Sequence, residues 1–359
     1  MTAHPVGCGC AECQNPNLVK LVFRGKPTQS RAELYEGYSR QFRRAADSVF
    51  ADNEQPELAD RLRANVSRFA AYKSAYVEGE FARIANDPKY NDVTRKAAMN
   101  AAEDRFARWT DAEYNTATAR CRTAKQMAEF MEPDNVRLFP NLEWLATRSA
   151  NPRAEHQAFV GLILPKSDPF WKTHTPGTEW NCKCDLAETD APASNADNLP
   201  DIKPPRGLEG NPYHTGEVFT DKVGYIRNAR ISAEDANIMG RNNYRKYRPT
   251  DYSFSIGNEP IDVNKILFKE TAKASTDQIN YFLKNEICRH LGRYVEAKDE
   301  INPEPINNHN VPGSKTYRLK NKLSIMRVFS FTVNGVNMVL KVGVYKNTGK
   351  LVAYTCYVV

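Results

Sequence analysis

Long apolar runs are missing from this sequence. No stretch of its 359 residues approaches 18 consecutive apolar side chains, so none reads as a membrane-spanning helix and no membrane partner is expected. The first ten residues, Met1 to Cys10, hold no apolar h-region, so Sec-dependent export is not expected. Cysteine is sparse and unevenly clustered: Cys8, Cys10, Cys13, Cys121, Cys182, Cys184, Cys288 and Cys356. That spacing does not fit a secreted disulfide framework and points to a reducing compartment with metal-bound or free thiols. Internal repeats are absent.

Acidic side chains are missing from one end. Residues 260–359 hold 15 Lys/Arg and 8 Asp/Glu, whereas residues 1–259 hold 35 of each, so the whole net charge of +7 sits at the C-terminus. From Val311 to Val359 there are eight basic residues and no carboxylate side chain. A solvated face accounts for many charge runs, but exclusion of acids over this length points to a polyanionic partner, where cations gain affinity by releasing phosphate counterions.

Four regions precede that end. Residues 1–26 are a short Cys-bearing lead, 27–140 read as helical, 141–225 are rich in Pro, Gly, Asn and aromatic residues, and 226–259 read as a linker. Pro56 and Pro88 bracket a segment with Leu58, Leu62, Val66, Phe69 and Tyr72 at helical spacing. Lys89 to Glu132 contain neither Gly nor Pro, and Thr110-Asp111-Ala112-Glu113 has the form of a capping box that restarts a helix. Residues 186–212 read as loop.

The last region, 260–359, reads as an α+β domain. Ser275-Thr276-Asp277-Gln278 is a capping-box pattern, Ile279, Phe282, Leu283, Ile287 and Leu291 form an apolar stripe, and Gly292 is a stop signal. An Asn/Pro-rich loop follows, then strands Ile325–Val333 and Val336–Tyr345 joined by Asn334-Gly335, and a last strand Leu351–Val358. The two-residue turn sets Val333 opposite Val336, Phe331 opposite Met338, Phe329 opposite Leu340 and Ile325 opposite Val344. A five-residue second turn sets Lys341 opposite Thr355 with Tyr357 beside it, and sends Val352, Tyr354, Cys356 and Val358 to the core. The expected fold class is therefore multidomain: mostly α in the N-terminal and middle regions, then a helix followed by an antiparallel sheet.

Ser330, Thr332, Asn337, Lys341 and Tyr345 would line the wet sheet face, flanked by Lys315, Arg318, Lys320 and Lys322 as nucleic-acid contacts. Two-metal phosphodiester cleavage needs carboxylates that the strand region does not supply, and ADP-ribosyl transfer normally uses a late catalytic Glu, whereas the last Glu is Glu304. Metal-free RNA cleavage needs a base for the 2′-OH and cations for the phosphorane charge, and no cofactor. His309, in the loop before the first strand, is the expected base. Lys341 and Thr355 would hold the phosphate, with Tyr357 or Lys315 holding it or stacking a base. His290 lies on the apolar stripe and reads as a core histidine.

The middle region carries Arg153-Ala154-Glu155-His156, Asp168-Pro169-Phe170-Trp171, Pro176-Gly177 and Asn181-Cys182-Lys183-Cys184. This ordered set resembles the phage Mu F-like minor head proteins over roughly residues 110–225, with Asn211-Pro212 to Phe219 also similar. Lys183 stands where the family usually has Arg. The resemblance implies a few copies inside the capsid near the portal, portal and capsid proteins as partners, and a role in head assembly or DNA delivery. In polymorphic-toxin versions such domains carry a variable C-terminal toxin. The tail's helix-then-strands order is similar to the phage-associated barnase–EndoU–colicin–RelE class of metal-independent RNases, which implies RNA as substrate in the bacterial host cytoplasm, with an immunity protein as a candidate partner. The alternatives are a head protein whose basic tail only binds packaged DNA, capsid or portal, and a host-modifying transferase, disfavoured by the missing acid.

Two candidate structural zinc sites stand beside this. His156, Cys182 and Cys184 would share a metal, with His174 or Asp168 as the fourth ligand, against a plain core with free thiols. His4, Cys8, Cys10 and Cys13 form a second cluster with C-x-C-x-x-C spacing.

Overall fold

The computed structural model describes residues 27–50, 54–147, 149, 154–195, 199–200, 202–232, 234–236, 239, 252–273, 278–333 and 335–359. The Cys8, Cys10, Cys13 cluster, His4 and Arg153 lie outside them. The chain divides into two compact units, Met1–Ile231 and Ser232–Val359.

Three long helices build the first unit: α1 (Pro27–Asp47), α2 (Pro56–Asn86) and α3 (Asp92–Phe130). Pro56 opens α2 where its missing N–H costs nothing, and the Asn91 side chain caps α3 by accepting from the Thr94 N–H at 2.9 Å. The helical stripe on α2 is real: Leu62, Val66 and Phe69 are fully buried, and Phe69 meets Phe42 of α1 edge-on at 5.0 Å. The expected restart at Thr110 does not occur, because Asp92–Phe130 is one helix. Thr110 bonds back to the Phe106 carbonyl at 2.6 Å, and Glu113 turns inward to Lys73 instead of capping.

After the short helix α4 (Pro133–Leu138), strands β1 (Asn141–Leu145), β2 (Ile163–Pro165) and β3 (Asp185–Thr189) pair antiparallel in the order β2-β1-β3. Poor periodicity hid this sheet in the sequence. The helical turns α5 (Ala154–Gln157) and α6 (Phe170–Thr173) sit between its strands, and Trp144, Phe159, Leu164, Trp171 and Leu186 pack with Met127 of α3. The chain then returns to the helices through α7 (Pro212–Thr215) and α8 (Gly224–Asn228). Phe219 stacks on Phe69 at 4.0 Å, and the Asn65 amide bonds both the N–H and the carbonyl of Phe219.

The second unit is a helix-backed sheet, as expected from the sequence, but larger. It contains β4 (Phe254–Ile256), β5 (Glu259–Asp262), α9 (Lys265–Lys273), α10 (Gln278–Ile287), β6 (Glu300–Pro305), α11 (Lys315–Lys320), β7 (Leu323–Val333), β8 (Val336–Tyr345) and β9 (Leu351–Val358). The six strands run β4-β5-β9-β8-β7-β6, antiparallel except for the parallel β5–β9 pair. Residues read as a linker thus supply β4 and the first residue of β5, and residues read as an Asn/Pro-rich loop supply β6. Pro303 and Pro305 fit an edge strand, where a missing N–H is tolerated.

The β7–β8 register is the one the two-residue turn dictates: Val333 opposite Val336, Phe331 opposite Met338, Phe329 opposite Leu340 and Ile325 opposite Val344. Gly335 takes φ 75°, as a primed hairpin turn requires. Lys341 does pair with Thr355. A bulge just beyond, between Lys341 and Val342, inverts the rest of β9. Cys356 and Val358 therefore join the main core with Leu351 and Ala353, under Leu267, Ile287 and Leu291, whereas Val352 and Tyr354 go to the other face. There they pack with Met326, Leu323 and Leu319 of α11, so part of the face read as wet is a second small core. His290 is half-buried at the N-cap of a 3₁₀ turn, beyond the end of α10, and not in the main core.

Arg327 ties this sheet together. Its guanidinium donates to both Glu300 oxygens of β6, at 2.7 and 2.6 Å, and to Glu259 of β5 at 2.6 Å. The Arg327 hydrogen bonds hold the Glu300 carboxyl below its ordinary 4.5, against partial burial that raises it. A depressed folded-state value means the contribution is present above the ordinary value and is lost as pH falls through the folded one. Wild type should therefore lose its stability advantage over Glu300→Gln on going from about pH 6 to about pH 3, read by urea unfolding. A constant difference across that range would contradict the pairing.

Candidate functional sites

Three side chains converge in the first unit. His156 comes from α5, and Cys182 and Cys184 from the turn leading into β3. The His156 Nδ1 lies 3.3 Å from the Cys182 Sγ and 3.5 Å from the Cys184 Sγ, and all three residues are buried. The C-x-C spacing suits this: alternate residues point the same way, and the intervening Lys183 is exposed. Cys182 is drawn below the ordinary thiol range, first by the hydrogen bond from the Cys184 thiol and next, against burial, by His156. Cys184 is pushed up in turn, because the pair shares one proton.

Neither fourth ligand suggested by the sequence reaches this centre. His174 has both nitrogens engaged, Nδ1 with the Thr173 hydroxyl at 2.7 Å and Nε2 with the Ile202 carbonyl at 2.8 Å, and it stacks on Phe170. Asp168 accepts from the Phe170 N–H at 2.8 Å and starts α6. Trp171 fills the core and donates to the Pro165 carbonyl at 3.0 Å.

Sequence reasoning missed the residue that closes the loop layer over α3. Arg120 is fully buried and donates to the carbonyls of Leu208 at 2.8 Å and Gly210 at 3.0 Å, with longer contacts to Gly177 and Glu217. Gly177, at φ 89°, passes so close that a Cβ would meet the Arg120 Cγ at 2.8 Å. An Arg amid helix-surface charges gave no local sign of this. Burial lowers its pKa to about 10.

In the second unit, Lys341, Thr355 and Tyr357 line one cleft of ≈ 580 Å³ with Lys320, Tyr354, Asn307 and Asn310. His309 is exposed and is not among the lining residues, although its neighbours Asn307 and Asn310 are. Arg318 and Lys322 are exposed outside the cleft, and Lys315 starts α11 with a side chain outside the described ones. The cleft also holds carboxylates: Glu304 of β6 accepts from the Lys341 ammonium at 2.5 Å, and Glu270 of α9 accepts from Thr316 at 3.1 Å. The acid-free tail is thus partnered by acids from earlier in the chain. Burial lowers the Lys341 pKa, but the Glu304 hydrogen bond and Tyr357 raise it further, so it stays a cation. Its Nζ lies 5.6 Å from the Tyr357 ring centroid, and Lys320 lies 5.5 Å from that of Tyr354.

The first unit is thus a long-helix bundle carrying a small sheet pinned by a buried His–Cys–Cys centre. Residues 57–187, which include that centre, match the family model described as Phage Mu protein F like protein. The matched span takes in α2 and ends before the Asn211-Pro212 to Phe219 stretch. Over 71 residues the chain is 31% identical to a capsid assembly protein F of Escherichia phage Mu, covering 20% of this chain and 16% of that protein. Over 69 residues it is 35% identical to the Mu-like prophage FluMu F protein of Haemophilus influenzae, covering 19% of this chain and 15% of that one. The aligned stretch is thus under a fifth of either relative. No solved structure matches. The chain carries a Mu F-like region, and no described helix is long and apolar enough to cross a membrane.

Proposed function

We propose that this chain is a phage or prophage head-morphogenesis protein whose C-terminal unit is a metal-independent endoribonuclease. The match over residues 57–187, together with the relatives' names, supports the head role. On this reading the protein sits in the virion, inside the capsid near the portal, with portal and capsid proteins as partners. The observation that carries the RNase reading is the cleft that gathers two lysines, Thr355, Tyr357 and two carboxylates, with Lys341 and Thr355 on the central strands β8 and β9.

Glu304 takes the role that the sequence gave His309, because it faces the cleft and the histidine does not. In the proposed step Glu304 accepts the 2′-OH proton, the 2′-oxygen attacks phosphorus, and the P–O5′ bond breaks. Lys341, Lys320 and Thr355 hold the phosphorane charge, and the Tyr357 hydroxyl protonates the leaving oxygen. RNA in the host cytoplasm is the substrate, and an immunity protein that blocks the cleft is the corresponding partner.

Expression of residues 232–359 in bacteria tests the second half: growth arrest with RNA cleavage is the expected result. A harmless domain that shifts DNA in a gel would replace the RNase with a DNA-binding tail. Recovery of the full chain from purified heads tests the first half, and its absence from them would overturn the head role.

A further inference from the structure

We infer that His156, Cys182 and Cys184 bind one zinc ion in the first unit, through the imidazole Nδ1 and two thiolates, with solvent as the fourth ligand. The three ligand atoms lie within 4.8 Å of one another, and the two nitrogen–sulfur distances are 3.3 and 3.5 Å. A tetrahedral zinc with Zn–S near 2.3 Å and Zn–N near 2.0–2.1 Å sets its nitrogen and sulfur ligands about 3.6 Å apart, so the ion fits with little movement.

The surroundings suit bound thiolates. Trp144 Nε1 is buried with no hydrogen-bond partner, a donor available to a sulfur that carries charge. Zinc is favoured over harder cations because the donor set is two soft sulfurs and an imidazole. The ligands join α5 to the turn before β3, 26 and 28 residues apart, so the ion closes a loop that has only short elements of its own.

The experiment uses the full chain purified without a metal-affinity step, with Cys8, Cys10 and Cys13 replaced by Ser to silence the N-terminal cluster. Elemental analysis should find about one zinc per chain, and cobalt replacement should give the intense near-ultraviolet thiolate-to-cobalt absorption. Adding Cys182→Ser and Cys184→Ser should remove both signals. Fewer than about 0.2 zinc per chain in the first variant, with no cobalt–thiolate band, would overturn the assignment. So would a Cys182–Cys184 disulfide in that variant by mass spectrometry. Both readouts hold even if the five-site variant fails to fold.

Discussion

Lys341→Ala is expected to cut RNA cleavage by the C-terminal unit about 100- to 1,000-fold while leaving the unit folded, the usual cost of removing one preorganised donor from a transition-state charge. The fold should survive because Lys341 lines the cleft outside the main core and its partner Glu304 reaches solvent, with 48% of its side chain exposed. Breaking so exposed an ion pair costs at most about 1 kcal/mol. Glu304→Gln should lose cleavage too, since the amide cannot take the 2′-OH proton, whereas His309→Ala should keep it. Cleavage of a labelled RNA by each variant, beside its melting curve, decides the matter. Full activity in Lys341→Ala, or a loss confined to His309→Ala, would remove Glu304 and Lys341 from the chemistry.

The second large effect is on stability. Lys73→Met should destabilise the first unit by about 3–5 kcal/mol, because it strands a buried carboxylate. Lys73 is fully buried and bonds Glu113, whose side chain is 6% exposed and which also accepts from the Tyr225 hydroxyl at 2.6 Å. The ammonium lies over the rings of Tyr38, Phe42 and Tyr225 at 5.0, 5.8 and 5.2 Å. Burial pushes Lys73 down and Glu113 up, each opposed by their mutual attraction, so the pair is stable only as a pair. The double variant Lys73→Met/Glu113→Leu should recover most of the loss, since apolar replacements of matching size often equal a buried ion pair. Urea unfolding of both proteins measures this. A single variant within about 1 kcal/mol of wild type would show that Glu113 is not held by Lys73. Glu113 also borders a cavity of ≈ 450 Å³ with Tyr76, Trp109, Trp180 and Tyr225, so its neutralisation should be visible in tryptophan fluorescence.

Much of the chain's local structure was legible. The Asn334-Gly335 turn fixed four cross-strand pairs correctly because a two-residue loop leaves no freedom of register. Pro56 and the apolar spacing on α2 marked a helix for the same local reason. The motif set around His156 and the C-x-C pair led to the region that the family model matches. Each of these signals acts within a turn or one face of an element.

What escaped was decided across distance. The acid-free stretch from Val311 to Val359 looked like an unopposed basic surface, yet Arg327 meets Glu300 and Glu259, and Lys341 meets Glu304. Those acids arrive on β5 and β6, whose short, Pro-containing strands have no pattern of their own and form only against the sheet. Thr110 and Glu113 satisfied a capping rule and were instead claimed by α3 and by Lys73. One bulge in β9 sent Val352 and Tyr354 to the opposite face. Propensity, turn chemistry and spacing thus determined the second helix and the register of the hairpin. Tertiary packing decided which charges are paired, because it brings together strands distant in the chain and, for the buried Lys73–Glu113 pair, because burial penalises an unpaired ion far more than any local preference can offset, and it decided which side chains share a site.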